Sequence, residues 1–293
     1  DPSQRLKDFQ PKKEFFIGID SDGCAFDTME IKQKECFCPQ FVNHFGLQAV
    51  SKYARETWLF VNLYSKTRGV NRFKALIRAL DLLPERPEVQ ARNVNVPKMQ
   101  GVRDWIERET KLGNPALKAE VASNPDPDLK QAYAWSVEVN EVVGKIVRDV
   151  PPFPYVRESL EKLTAKADAL VVSQTPCEAL EREWAEHGIA PFVHIIAGQE
   201  MGTKTEHLTF AAKGKYPSDK ILMIGDAPGD FKAAKANDAL YFPINPGDEE
   251  KSWKMFFDEA LDRFFAGTYA GDYEADLIAK FDEHLPENPP WQR

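Results

Sequence analysis

Cysteine is scarce in this chain: four residues in 293, Cys24, Cys36, Cys38 and Cys177, at irregular spacing. That excludes a disulfide framework, and a reducing compartment, the cytoplasm, is the expectation. Cys36 and Cys38 have no second Cys pair or His pair at zinc-like spacing, so they read as two ordinary thiols on a helix. No apolar run approaches the ~20 residues of a membrane span, so no membrane is expected among the partners. No signal peptide is recognisable in a chain that begins at Asp1. An excess of basic residues is missing as well. The net charge of -8 argues against a nucleic-acid partner, while leaving room for an anionic ligand in a locally basic pocket. There is no internal repeat and no low-complexity tract.

What is present is uneven. Residues 48–80 carry Lys52, Arg55, Lys66, Arg68, Arg72, Lys74 and Arg78 against Glu56 alone, whereas residues 247–284 hold eleven acids and four bases. Residues 1–14 are polar and read as a poorly ordered lead-in. The run Phe15-Phe16-Ile17-Gly18-Ile19 reads as a buried strand, and Asp20-Ser21-Asp22-Gly23 as the sharp turn at its carboxyl end. For about 120 residues after Thr28 the pattern is helical and nothing alternates. Phe73, Leu76, Ile77, Leu80 and Leu83 form one helix face, and Val139, Val142, Val143 and Ile146 another. Prolines punctuate the stretch, which ends at Pro151-Pro152-Phe153-Pro154, a stiff connector.

From Tyr155 the chain alternates. Strands are predicted at 169–172, 193–196, 221–224 and 239–242, with helices near 155–166, 177–188, 204–214 and 229–236. This is the pattern of βαβ units and a parallel sheet. The first strand has no other means of burying itself than to join that sheet, which makes the helical block an insertion. The expected fold is therefore α/β, a Rossmann-like parallel-sheet core of residues 12–28 plus 150–293, carrying an inserted all-α domain of residues 29–149. In the tail, Trp253, Phe256, Phe257, Ala260, Leu261, Phe264 and Phe265 fall at helical spacing.

Open parallel sheets bind ligands at the carboxyl ends of their strands. Four such ends carry chemistry: Asp20 and Asp22 after the first, Ser173-Gln174-Thr175 after the second, Lys204 near the start of a later helix, and Gly225-Asp226-Ala227-Pro228-Gly229-Asp230 after the fourth. Clustered carboxylates repel one another, a cost that a hard cation such as Mg²⁺ offsets. One carboxylate can then attack phosphorus, a second can move a proton, and a hydroxyl and an ammonium can bind phosphoryl oxygens. The bland alternatives are turn chemistry for each Asp-Gly pair and a helix N-cap for Ser173. Lys213 and Lys215 compete with Lys204. Cys24 has no His placed near it as a base, so a packing role fits it better than that of a thiol nucleophile.

In order and spacing these motifs resemble the haloacid dehalogenase superfamily, and Asp22-Gly23-x-x-x-Asp27-Thr28 resembles the phosphatase branch whose helical cap is inserted after the first motif, as in phosphoglycolate phosphatases and beta-phosphoglucomutases. The resemblance covers roughly residues 12–28 and 150–246. It implies Asp20 as nucleophile and Asp22 as general acid/base, with Mg²⁺ held by Asp20, Asp226 and the Asp22 carbonyl, and Asp230 supporting from behind. It implies Ser173 and Lys204 as phosphoryl-binding groups. Two departures stand out: Cys24 where Val or Thr is common, and Thr205-Glu206 after Lys204 where Pro is frequent. Caps of this family carry a specificity loop, which makes Arg68, Asn71 and Arg72 candidates for gripping the substrate; a solvated helix face is the alternative. The implied activity is Mg²⁺-dependent hydrolysis of a small phosphorylated metabolite through a phospho-aspartate. The rival readings are a phosphomutase of the same fold and a non-catalytic binding protein built on it.

Overall fold

The structure, a computed structural model, describes residues 1–292. It divides into two compact units. One comprises Asp1–Met29 and Asp149–Leu285; the other comprises Glu30–Arg148 and the tail that starts at Pro286.

The first unit is built on five strands: β1 (Phe15–Ile19), β2 (Ala167–Val172), β3 (Ile195–Ala197), β4 (Ile221–Gly225) and β5 (Leu240–Pro243). All pairings are parallel, in the order β3-β2-β1-β4-β5. This is a Rossmann-like α/β sheet. The strands are largely apolar because both faces are covered, Asp168 of β2 being a buried exception that accepts from Tyr216 Oη at 2.7 Å. Alternate residues of β1 serve opposite layers: Phe15, Ile17 and Ile19 pack with Leu160, Trp184 and Trp253, while Phe16 packs with Leu208, Met223 and Phe281. β1 lies at the centre, and the chain continues to β2 on one side and reaches β4 on the other. A crevice therefore opens at the carboxyl end of β1, the topological switch point.

The lead-in is not loose. Gln4–Asp8 is a helix whose Leu6 is fully buried, and Lys215 Nζ donates to the carbonyls of Leu6, Lys7 and Phe9 at 3.2, 2.8 and 2.7 Å. An ammonium at a helix carboxyl end satisfies orphan carbonyls that a five-residue helix cannot satisfy itself. The connector after residue 150 pairs with the first-strand loop, Phe153 N donating to Ala25 O at 2.9 Å.

The second unit is helical and its interior is aromatic. Phe37, Phe41, Trp58, Phe73, Trp105 and Trp135 are buried together, with ring centroids 4.8 Å apart for Phe41 and Trp58 and 5.1 Å for Phe73 and Trp105. Each such ring contributes about 1.5–3 kcal/mol by burial. Of the predicted face, Phe73, Leu76, Leu80 and Leu83 are buried and Ile77 is partly covered. On helix Pro127–Ile146 the buried residues are Leu129, Ala132, Trp135 and Val139; Val142 and Val143 are partly covered, and Ile146 is exposed. Cys36 and Cys38 lie in this core.

The tail departs from the sequence expectation, which kept it with the sheet. Trp291 meets Phe60 edge to face at 5.5 Å and lies under the Arg86 guanidinium at 4.3 Å, while Pro286 O accepts from Lys66 N at 3.3 Å. A proline-rich segment with one aromatic has no periodicity from which such a contact can be read.

Candidate active site

Asp20 follows β1 directly, its N–H still donating to Ile224 O of β4 at 3.0 Å. Its carboxylate therefore starts from a rigid ladder. Gly23, at φ +75°, makes the left-handed turn that follows Asp22. Asp226 follows β4, and Asp230 occupies the first turn of helix Pro228–Ala236, where its Oδ2 accepts from Ala227 N at 3.1 Å. Gly225 is required at this turn: a Cβ there would stand 2.3 Å from the Asp230 Cβ. Lys204 opens helix Lys204–Ala211, which begins with a capping box in which Thr203 and Glu206 satisfy each other's backbone N–H groups. Glu206 is thus explained locally, although Pro is frequent nearby in the resembled family. The helix sits close over β1, because a Cβ on Gly18 would be 3.1 Å from Leu208 Cδ2.

The three aspartates are buried, and one carboxylate oxygen from each lies within 4.8 Å of the others. Lys204 Nζ bridges two of them, at 2.7 Å from Asp20 Oδ2 and 2.6 Å from Asp230 Oδ1. Burial, aided by the Asp226 charge and opposed by Lys204, pushes Asp20 up to about 7. Burial and the Asp20 charge push Asp230 up to about 6, again against Lys204. For Lys204 burial works against the charge, but Asp20 and Asp230 outweigh it and hold the ammonium above its ordinary value. Burial, then Asp226 and Asp20, drives the Cys24 thiol far up, so it stays protonated and is no nucleophile.

Three carboxylates against one ammonium leave an excess of negative charge in a dry place. Hard oxygen donors so arranged fit a small divalent cation. Asp20, Asp226 and Asp230 each offer one ligand oxygen to such an ion.

Asp22 is placed differently. Its carboxylate accepts from two hydroxyls, Thr28 on Oδ1 and Thr175 on Oδ2. Ser173 is 2% exposed and follows β2 directly, beyond the pairing of Ile19 with Val171. The Ser173 Oγ accepts from Thr175 N at 3.2 Å. The geometry thus pairs Lys204 with Asp20 and Asp230, clusters Asp226 with those two carboxylates, and puts Asp22 beside the turn that bears Ser173. Ser21, between the two aspartates, is buried, accepting from Trp184 Nε1 at 3.0 Å and donating to Glu183 Oε2 at 3.2 Å.

Sequence reasoning missed Thr175 as a partner of Asp22. The available signal was its place two residues past Ser173 in a polar strand end. The basic candidates have structural duties in the helical unit. Arg68 is 3% exposed and donates to Leu63 O at 3.0 Å. Asn71 caps helix Arg72–Leu82 and donates to Leu112 O at 3.1 Å. Arg72 reaches Ser136 Oγ at 3.0 Å and Asn140 Oδ1 at 2.7 Å, over the Phe37 ring.

No family model matches the sequence, and no curated protein matches it either. Among solved structures the chain is similar to a haloacid dehalogenase-like hydrolase from Streptococcus pneumoniae, at 13% identity and TM-score 0.48, over 91% of this chain and 98% of that one. It is similar to a predicted phosphoglycolate phosphatase from Haemophilus somnus, at 16% identity and TM-score 0.45, over 80% and 88%. A 2-haloacid dehalogenase from Pseudomonas syringae shares 16% identity at TM-score 0.39, over 80% and 87%. Likeness at this level carries no argument about activity, and the functional reading rests on the residues themselves.

Proposed function

We propose that the protein is a Mg²⁺-dependent phosphatase acting on a small phosphorylated metabolite through a phospho-aspartate. The observation that carries this reading is the buried cluster of Asp20, Asp226 and Asp230, in which Lys204 bridges Asp20 and Asp230, with a further carboxylate, Asp22, on the same loop as Asp20. The cation, when bound, neutralises the cluster and withdraws charge from the phosphoryl oxygens.

Asp20 Oδ attacks phosphorus in line with the ester oxygen, the P–O ester bond breaks, and the leaving oxygen takes a proton from Asp22. Lys204 and Ser173 hold phosphoryl oxygens as charge shifts onto them. Lys204 also screens Asp20 from Asp230. In the second half-reaction Asp22 accepts a proton from water as the water attacks phosphorus, and the bond from phosphorus to Asp20 breaks. Asp230 keeps Lys204 in place through their ion pair. The helical unit then corresponds to the cap of the resembled family, its part being substrate selection.

The test is a screen of phosphorylated metabolites, with p-nitrophenyl phosphate included, using purified protein and Mg²⁺. Release of inorganic phosphate supports hydrolysis. An isomeric sugar phosphate formed without phosphate release would replace this reading by a mutase. Silence across the panel, with no cation binding by calorimetry, would replace it by a binding protein.

A further inference from the structure

The Asp22 carboxylate has a hydroxyl donor on each oxygen, and the two donors come from different places. Thr28 lies six residues on in the same loop, whereas Thr175 arrives from 153 residues away. The turn that delivers Thr175 is itself pinned. Its N–H donates to Ser173 Oγ at 3.2 Å, and its carbonyl accepts from Gln199 N at 3.1 Å. Gly198 packs against that carbonyl so closely that a Cβ would lie 2.5 Å from it. A residue fixed through both backbone groups presents its side chain in one direction, here to Asp22 Oδ2.

We infer that Thr175 is a positioning residue for proton transfer: its hydroxyl holds the Asp22 carboxyl group in the orientation that serves the leaving oxygen. The inference rests on the phosphatase reading above. The choice of a hydroxyl has a chemical reason. It donates to a carboxylate, and by rotating it accepts from a carboxylic acid, so the contact survives both states of a group that gives and takes a proton. A backbone or side-chain N–H could donate to either state but could not accept from the acid's O–H. Because the same turn carries Ser173, the orientation of the acid is tied to the residue that binds the phosphoryl group. Thr175 itself forms no bond to phosphorus and binds no cation.

The experiment compares two aryl esters in the full-length protein with Mg²⁺. p-Nitrophenyl phosphate has a leaving group that departs without a proton, whereas phenyl phosphate needs one. Thr175→Val should lower kcat/KM for phenyl phosphate by roughly 10²-fold, the scale of a small misplacement of a catalytic group. It should leave p-nitrophenyl phosphate nearly unchanged, and Thr175→Ser should restore the first ester. Asp22→Asn supplies the reference pattern, steeper in the same direction. Thr175→Ala removes the hydroxyl without added bulk and gives the same readout if the Val variant does not fold. Equal losses on both esters, or none on either, would overturn the inference while wild-type turnover leaves the phosphatase reading standing. A wild-type protein that hydrolyses neither ester nor any member of the metabolite panel, and binds no cation, overturns that reading, and the inference with it.

Discussion

The two units bury charge in opposite ways. In the helical unit each buried arginine is met by backbone, ring and counter-charge: Arg68 by Leu63 O, and Arg86 by Tyr53 O, Glu56 and the Tyr53 and Trp291 rings. In the sheet unit three buried carboxylates face one another around a single ammonium. Burial of a charge against acceptors, rings and a counter-charge offsets its desolvation, even though Arg86 Nε itself has no hydrogen-bond partner. Burial of like charges raises the energy of the fold and is kept where a ligand will use it. The contrast separates residues that build from residues that the proposed function makes act, even though both sets are polar and buried.

The largest effect that would break this comparison is at Asp20. Asp20→Asn should reduce turnover by at least about 10³-fold. It should also raise the melting temperature of the cation-free protein, because one of three facing charges is gone. A variant that keeps substantial activity with deamidation excluded, or that melts lower than wild type without cation, would remove Asp20 from the acting set.

Next comes the pH dependence of cation binding. Asp20 and Asp230 sit at about 7 and about 6, above the ordinary carboxylate value of 3.8. The folded protein therefore binds more protons than the unfolded chain between about pH 4 and 7. Their contribution to stability is whole below about pH 4 and is lost as pH rises through 7. A divalent cation binds the ionised cluster, so the rise in melting temperature on adding Mg²⁺ should be near zero at pH 4, grow with pH and level off above 7. His207, pushed down to about 4 by burial, titrates in the opposite sense over this window. It does so with and without cation, and the difference isolates the cluster. An increment that does not change from pH 4 to 8 would show that these carboxylates do not bind the cation.

Arg68→Met sharpens the other side. Loss of a buried guanidinium bonded to Leu63 O should cost about 1.5–3 kcal/mol of stability, read by denaturant melts, with kcat and KM little changed. A tenfold or larger rise in KM at unchanged stability would restore Arg68 as a substrate grip. The smallest effect is expected at Trp291. Its ring lies between Phe60 and Arg86 and is partly exposed, so Trp291→Ala should cost about 1–2 kcal/mol, seen in the same melts, with the Mg²⁺ increment retained.

Much of the sheet unit was legible because its signals are local. An apolar run ending in Asp-x-Asp-Gly identifies a strand and its turn, and the strands after residue 155 stand close to their predicted places, β2 starting two residues earlier. Helix Lys204–Ala211 and helix Pro228–Ala236 follow from the same alternation. The tail helix was legible in spacing but not in register: Phe256–Ala260 is wound as a π-helix, and Trp253, Phe256 and Phe264 are buried while Phe257 and Phe265 are only partly covered. The partners of the basic segment were not legible, because charge in a sequence does not say whether a guanidinium meets water, a ligand or a carbonyl. Arg72, which burial pushes down to about 10, shows how far a side chain from a charge-rich run can be withdrawn from water.

The sequence by itself determined the identity and spacing of the proposed reacting groups, since Asp20, Asp22, Asp226 and Asp230 are set by strand ends and the turns that leave them. It also determined that a helical block interrupts the sheet unit after Thr28. Only the tertiary structure decided the strand order that brings β1 between β2 and β4, the bridge from Lys204 to two aspartates, and the return of the tail from Pro286 to the helical unit. It alone showed Thr175 on Asp22. The physical reason is range: strand and turn propensities act over a few neighbouring residues, whereas a hydroxyl 153 positions away finds its carboxylate only when the packed sheet has fixed both backbones.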